Sequence, residues 1–240
     1  MAERAGEANK ALGAELAALR DLVIRMGGAV EEQLRCGIHA LQHRDARLAE
    51  QVVAGDRQID RYELQADADI AVLIGNRAPQ GVDLRAILTL SKSVNDLERI
   101  GDESKKLARI AIALMESAED SVEVPMITEI TGMSKISAAM LRGALNALVR
   151  LDLQQADRTR SEDERLDAVY KSSIDQLTTL MAASPSAVAP GVQALYALKS
   201  LERIGDHAKN IAGYVFYMVE GRDVRHPKAR EEAATDLRQH

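Results

Sequence analysis

The chain has 240 residues, 46% of them apolar but only 2% aromatic, with no Trp and one cysteine, Cys36. Apolar content drawn from Ala, Leu, Ile, Val and Met suits closely packed helices better than sandwiches or barrels, and a lone cysteine excludes an internal disulfide framework and fits a reducing compartment. The formal charge of −6 argues against duplex nucleic acid as a bulk partner, and neither a signal-peptide core nor an apolar run of the ~20 residues that span a bilayer is present, so a soluble, cytoplasmic protein is expected.

Residues 1–10 are polar and read as a frayed terminus. From about Glu15 a helical stripe runs through Leu16, Leu19, Leu22, Val23, Met26 and Val30, then Leu34, Ile38, Leu41, Leu48 and Val52; spacings of three and four place these on one face. Gly27-Gly28 inside the stripe implies a bend or a close helix contact. Gly55 is read as the end of this helix.

A second helix is expected from Asp56 to Asn76, a turn around Pro79, and a third helix from Val82 to Glu116. Ser117 to Val124 is acidic and loop-like, and then the pattern starts again. Leu34–Leu41 aligns with Leu141–Leu148 at an offset of 107, which also maps Met26 to Met133, Asp45 to Asp152, Asp56 to Asp163 and Asp60 to Asp167. Leu97-Glu98-Arg99-Ile100-Gly101-Asp102 returns 104 residues later as Leu201-Glu202-Arg203-Ile204-Gly205-Asp206. A six-residue identity at that distance marks a duplicated unit. The fold class is therefore all-α, a tandem repeat of two three-helix bundles. The first repeat is 1–118, the second 119–226, and 227–240 is a charged tail.

Each half carries two acid pairs spaced i, i+4: Asp56/Asp60 with Glu98/Asp102, and Asp163/Asp167 with Glu202/Asp206. In the hexapeptides Leu and Gly lie on the buried stripe, with the acids one residue, about 100°, around the helix. Carboxylates on adjacent turns repel, and a hard, oxygen-preferring cation such as Fe, Mn or Mg, or Zn, relieves that cost. Two other readings stand beside ligation. Arg99, Arg203 and Lys105 can neutralise the acids as surface ion pairs, and Asp56 and Asp163 can serve as helix N-caps. Glu63/Asp67 is a further pair without a counterpart, since Tyr170 and Ile174 stand at the equivalent places. His207 is either an auxiliary ligand or a core-edge residue, and Cys36 reads as a small buried hydrophobe. The Glu-x-x-His signature of di-iron enzymes, a phosphate-binding glycine loop and a nucleophile–base pair are all missing, so no catalytic or organic-cofactor residues are assigned.

The sequence resembles the PhoU family of phosphate-signalling regulators over about residues 15–226. The matching stretches are Met26-Gly27-Gly28, Ala40-Leu41 with Asp45, Asp56-x-x-Ile59-Asp60-x-x-Glu63, Arg77-x-Pro79-x-x-x-Asp83-Leu84-Arg85, both hexapeptides, Asp206–Ala212 and Gly221–His226. The resemblance implies pseudo-twofold symmetry between the bundles. It also implies multinuclear iron or zinc clusters held by the eight acids Asp56, Asp60, Glu98, Asp102, Asp163, Asp167, Glu202 and Asp206. The implied role is a negative regulator of the phosphate-starvation response that couples the ATPase subunit of a phosphate ABC transporter to a sensor histidine kinase at the inner face of the membrane. A homodimer is also expected. The chain departs from the family at Leu12-Gly13 and Asp175-Gln176-Leu177. A carboxylate-bridged metal enzyme, and a PhoU-like regulator of another transporter, are the alternatives.

Overall fold

The protein is described here by a computed structural model covering residues 2–116 and 125–225. The expected loop at Ser117–Val124 and the tail 227–240 lie outside the described residues. Among those described, six α-helices form the molecule: α1 (Ala2–His43), α2 (Ala46–Arg77), α3 (Gly81–Glu116), α4 (Ile127–Arg150), α5 (Leu153–Ala183) and α6 (Val188–Glu220). A 3₁₀ turn, Pro185–Ala187, precedes α6.

The helices form two three-helix bundles. α1, α2 and α3 pack on one another, as do α4, α5 and α6, while α3 meets α6 and α1 meets α4 across the middle. Exchanging the repeats maps this contact scheme onto itself, which is the expected pseudo-twofold relation. The core is aliphatic. Leu19, Met26, Leu34, Leu41, Leu97 and Ile100 are almost completely buried in one repeat, and Ile130, Met133 and Met140 in the other.

Two expected boundaries are corrected. The first helix begins at Ala2 rather than near Glu15, and it ends at His43, twelve residues before Gly55. Arg44 takes φ 53°, and the Asp45 side chain then accepts a hydrogen bond of 2.9 Å from the Leu48 backbone N–H. The second repeat copies this junction. Leu151 takes φ 55°, and Asp152 accepts 3.0 Å bonds from the N–H groups of Gln154 and Gln155. Asp45 and Asp152 are thus the N-caps. Asp56 and Asp163 lie inside α2 and α5, where no orphan N–H awaits a cap. The misreading has a plain cause: the apolar stripe stays in phase across the α1–α2 corner, so periodicity alone cannot register the break.

Glycines set how closely the helices approach. A Cβ on Gly27 would stand 2.6 Å from the Leu145 side chain, so this glycine allows α1 and α4 to cross, and no bend is required. A Cβ on Gly101 would stand 3.0 Å from Ile59 of α2, and one on Gly205 would run into Leu166 of α5. Cys36 is half-buried rather than fully buried; its thiol lies 3.3 Å from Glu32 Oε1, and burial followed by that acid raises its pKa.

Removing either cap should cost about 1 kcal/mol: Asp45→Ala and Asp152→Ala are each expected to lower the urea midpoint with the m-value unchanged. Gly205→Val, which overpacks the Leu166 contact, should cost roughly 1–3 kcal/mol. Gly28→Val, with nothing within 4 Å of the added carbon, should unfold close to wild type.

Candidate metal centre

The hexapeptide helix and its neighbour are brought together by one packing motif used twice. Ile59 lies between Asp56 and Asp60 in α2 and seats over Gly101 of α3; Leu166 lies between Asp163 and Asp167 in α5 and seats over Gly205 of α6. Because the acids flank these seated residues, the contact that closes the core also sets the two acid pairs of each repeat opposite one another at the core's edge.

In the first repeat Asp56 is 5% exposed and Asp60 lies on the surface. Gln33 Nε2 donates 3.1 Å to Asp56 Oδ1, while the Lys105 ammonium pairs with Asp56 Oδ2 and, at 3.1 Å, with Asp102 Oδ1. Lys105 therefore bridges α2 and α3. Burial works against its charge, but the bonds to Asp56 and Asp102 outweigh this and raise its pKa. Arg99 lies 3.3 Å from Glu98 and 3.9 Å from Asp102. Desolvation, then the neighbouring Asp102, pushes the Glu98 carboxyl above its ordinary range against the opposing pull of Arg99. Glu63 is pushed up in the same way, by desolvation and then by Asp67, Asp60 and Asp102. It belongs electrostatically to this cluster.

The second repeat follows the same plan with different details. Asp163 is 3% exposed and pairs with Lys209, the counterpart of Lys105. Lys199 lies 2.6 Å from Glu202 and 5.4 Å from the centre of the Tyr170 ring. Asp206 sits on the rim. Partial desolvation, then Glu202, Asp163 and Asp167, raises its pKa, with Lys209 opposing. Where Gln33 supports Asp56, the second repeat has Met140, whose sulfur packs toward Gly205.

All eight acids expected as ligands thus fall into two groups of four, one per repeat. Of the three cations expected to compete for them, Arg99 and Lys105 do so, whereas Arg203 turns to Glu103 at 2.8 Å. Among the described residues no three Asp, Glu, His or Cys side chains close around a single point as a metal cage. The donor set is nevertheless all oxygen and rich in surplus negative charge, and Gln33 Oε1 is a buried acceptor without a partner beside Asp56. That chemistry fits a hard cation displacing the bridging lysines.

His207 is a core-edge residue. Its Nδ1 lies 2.7 Å from Asp96 Oδ1 on α3, away from the Glu202/Asp206 pair, and Tyr214 OH donates 2.6 Å to the other oxygen of Asp96. Gln33, Asp96 and Lys209 were not singled out from the sequence. A polar residue at a core position of the stripe is the signal for Gln33, and the 104-residue offset from Lys105 is the signal for Lys209.

A model of the PhoU domain matches residues 23–111 and 130–215. The chain is 41% identical over 213 residues to a phosphate-specific transport system accessory protein PhoU homolog of Pseudomonas aeruginosa, covering 89% of this chain and 87% of the relative. It is 34% identical to the accessory protein PhoU of Escherichia coli over the same shares. The crystal structure of PhoU from Pseudomonas aeruginosa superposes with a TM-score of 0.83 at 40% identity, covering 88% of this chain and 99% of that one. The phosphate transport system regulatory protein PhoU of Streptococcus pneumoniae gives 0.80 at 27% identity, with 89% and 99% covered.

The raised carboxyls have a defined effect on stability. A group whose folded pKa lies above its unfolded value binds more protons when folded, so it subtracts stability as pH rises through that range. With chelator present, Glu98→Gln and Asp206→Asn should each raise the melting temperature at pH 7. The gain should shrink toward zero as pH falls below the ordinary carboxylate pKa of about 4.

Proposed function

The chain belongs to the PhoU family, and from that premise we propose that it is a non-enzymatic accessory regulator of phosphate transport that represses the phosphate-starvation response when phosphate is ample. It acts as an adaptor, docking the ATPase subunit of a phosphate ABC transporter and a sensor histidine kinase on its helix faces. It reaches the inner membrane face only through those partners; no described helix is long and apolar enough to cross a membrane. The observation that carries this reading is the duplicated acid-bearing hexapeptide in a two-bundle scaffold shared with proteins named as phosphate transport accessory and regulatory factors.

In this reading Asp56, Asp60, Glu98 and Asp102 hold metal on one repeat, and Asp163, Asp167, Glu202 and Asp206 on the other. Iron or zinc, or Mn or Mg, would supply compact positive charge to cross-link α2 with α3 and α5 with α6. The chain's own residues do the rest. Ile59 and Leu166 seat the paired helices, Gln33 orients Asp56, and Lys105 and Lys209 neutralise the acids in the metal-free protein. No nucleophile or acid–base pair is assigned. The assembly in this reading is a homodimer.

Two experiments check it. Protein purified without a chelating tag should carry more than one metal per chain by elemental analysis, and Glu98→Ala/Glu202→Ala should lose most of it. A pull-down from phosphate-replete cells should recover the transporter ATPase or the sensor kinase; recovery of neither would sink the adaptor reading.

A further inference from the structure

The pseudo-twofold axis runs through the contact between α3 and α6, and two polar crossings flank it. The 104-residue offset maps Asp96 to Ser200 and Glu103 to His207, so the Asp96–His207 pair at 2.7 Å on one side corresponds to the Ser200–Glu103 pair at 2.9 Å on the other. The two sides are covered differently.

On the Asp96 side the chain covers the groove with the segment that follows α6, chiefly the Arg225 side chain. After α6, Gly221 turns with φ 72° and Asp223–Arg225 lies back over the helices. Arg160 donates 2.9 Å to the Val224 carbonyl, Arg225 lies 4.6 Å from the centre of the Tyr214 ring, and a Cβ on Gly213 would stand 2.9 Å from the Arg225 side chain. The Asp223 carboxyl is drawn down to about 2 by its bonds to Arg225, with the Lys92 charge adding to the effect. A short segment of chain, its carboxylate held by its own arginine, is thus what covers this groove.

On the Glu103 side the equivalent surface is a cavity of about 440 Å³ lined by Lys106, Arg109, Lys199, Arg203 and Tyr196 around a floor of Ile110 and Ser200. Four cations line it in a protein of net charge −6. The lining carboxylate, Glu103, is 3% exposed and already bonded to Lys106, Arg203 and Ser200. Lys199 reaches out to Glu202, and Arg109, standing where Gly213 stands on the filled side, pairs with no carboxylate among the described residues. Tyr196 is 58% exposed. Four cations thus meet two carboxylates, Glu103 and Glu202, and the cavity offers a surplus of positive charge centred on Arg109, an aromatic face and a small apolar floor.

We propose that this groove docks a short acidic segment of a partner protein, with its Asp or Glu side chains on Arg109, Lys199 and the outer faces of Lys106 and Arg203, and an apolar side chain on Ile110 and Tyr196. Charge complementarity selects the occupant, and the filled mate groove sets its form as an extended peptide. The proposal deepens the adaptor reading and rests on it for biological meaning, but the binding is measurable without it.

The test is fluorescence anisotropy of the full chain with a fluorescein-labelled synthetic peptide of Asp and Glu around a central Leu. Saturable binding that weakens as salt rises is expected. Arg109→Glu, which breaks no ion pair among the described residues, should weaken it at least about tenfold, and Tyr196→Ala should weaken it less. Lys135→Glu, the same charge change in the groove between α1 and α4, should leave it unchanged. No saturable binding, or equal loss in Lys135→Glu, overturns the proposal. So does tripolyphosphate binding in this groove without peptide binding, or a self-association abolished by Arg109→Glu, because each names a different occupant. Peptide binding with failure to complement a deletion strain removes the adaptor reading and leaves the site; complementation by Arg109→Glu with peptide binding lost removes the site's role and leaves the adaptor reading.

Discussion

The seat of a branched aliphatic side chain over a glycine on the facing helix governs this molecule. Ile59 over Gly101 and Leu166 over Gly205 seat α2 against α3 and α5 against α6 in space that a Cβ would crowd. Hydrophobic burial drives the approach, and its consequence is electrostatic. The acids on either side of each seated residue are carried to the edge of the core, opposite a second acid pair that they would otherwise avoid. Like charges are held together there because the apolar contact outweighs a repulsion of a few tenths of a kcal/mol per exposed pair. Lys105 and Lys209 answer part of that charge, and the raised Glu98 and Asp206 carboxyls mark the part left over.

Duplication made the two clusters alike in plan and divergence made them unlike in chemistry. Gln33 backs Asp56 with a donor, whereas Met140 fills the matching place with a soft apolar side chain. Glu63 adds a carboxylate to the first cluster, while the second has Tyr170 there with Lys199 over its ring. The central α3–α6 contact diverges in the same manner. One crossing keeps the Asp96–His207–Tyr214 set under the chain's own turn after α6, and the other buries Glu103 beneath an open basic groove. Symmetry in the backbone thus coexists with two different polar faces.

The fold was legible because helical periodicity is a local property. Apolar residues at helical spacing and a repeated hexapeptide are enough to call for two bundles, and the turn at Pro79 fell where the residues pointed. The first helix was misjudged at both ends. Its stripe runs in phase through Arg44-Asp45, and only the cap geometry at Leu48 distinguishes a corner from a continuous rod. That error made Asp56 look like a terminus. The acid groups themselves were legible through the 107- and 104-residue offsets, since a duplicated spacing survives where single pairs carry little meaning.

What the sequence by itself determined is the helical class, the duplication and the repeated i, i+4 spacing of the acids, because each depends on residue type and spacing along one chain. Which acids face which, that Lys105 and Lys209 stand between them, that His207 turns to Asp96, and that one α3–α6 groove is filled while its mate stays open among the described residues were decided only by the tertiary structure. Those relations depend on contacts between residues as much as 46 to 118 positions apart. Their geometry is set by how closely two helix backbones approach, a quantity no periodicity encodes.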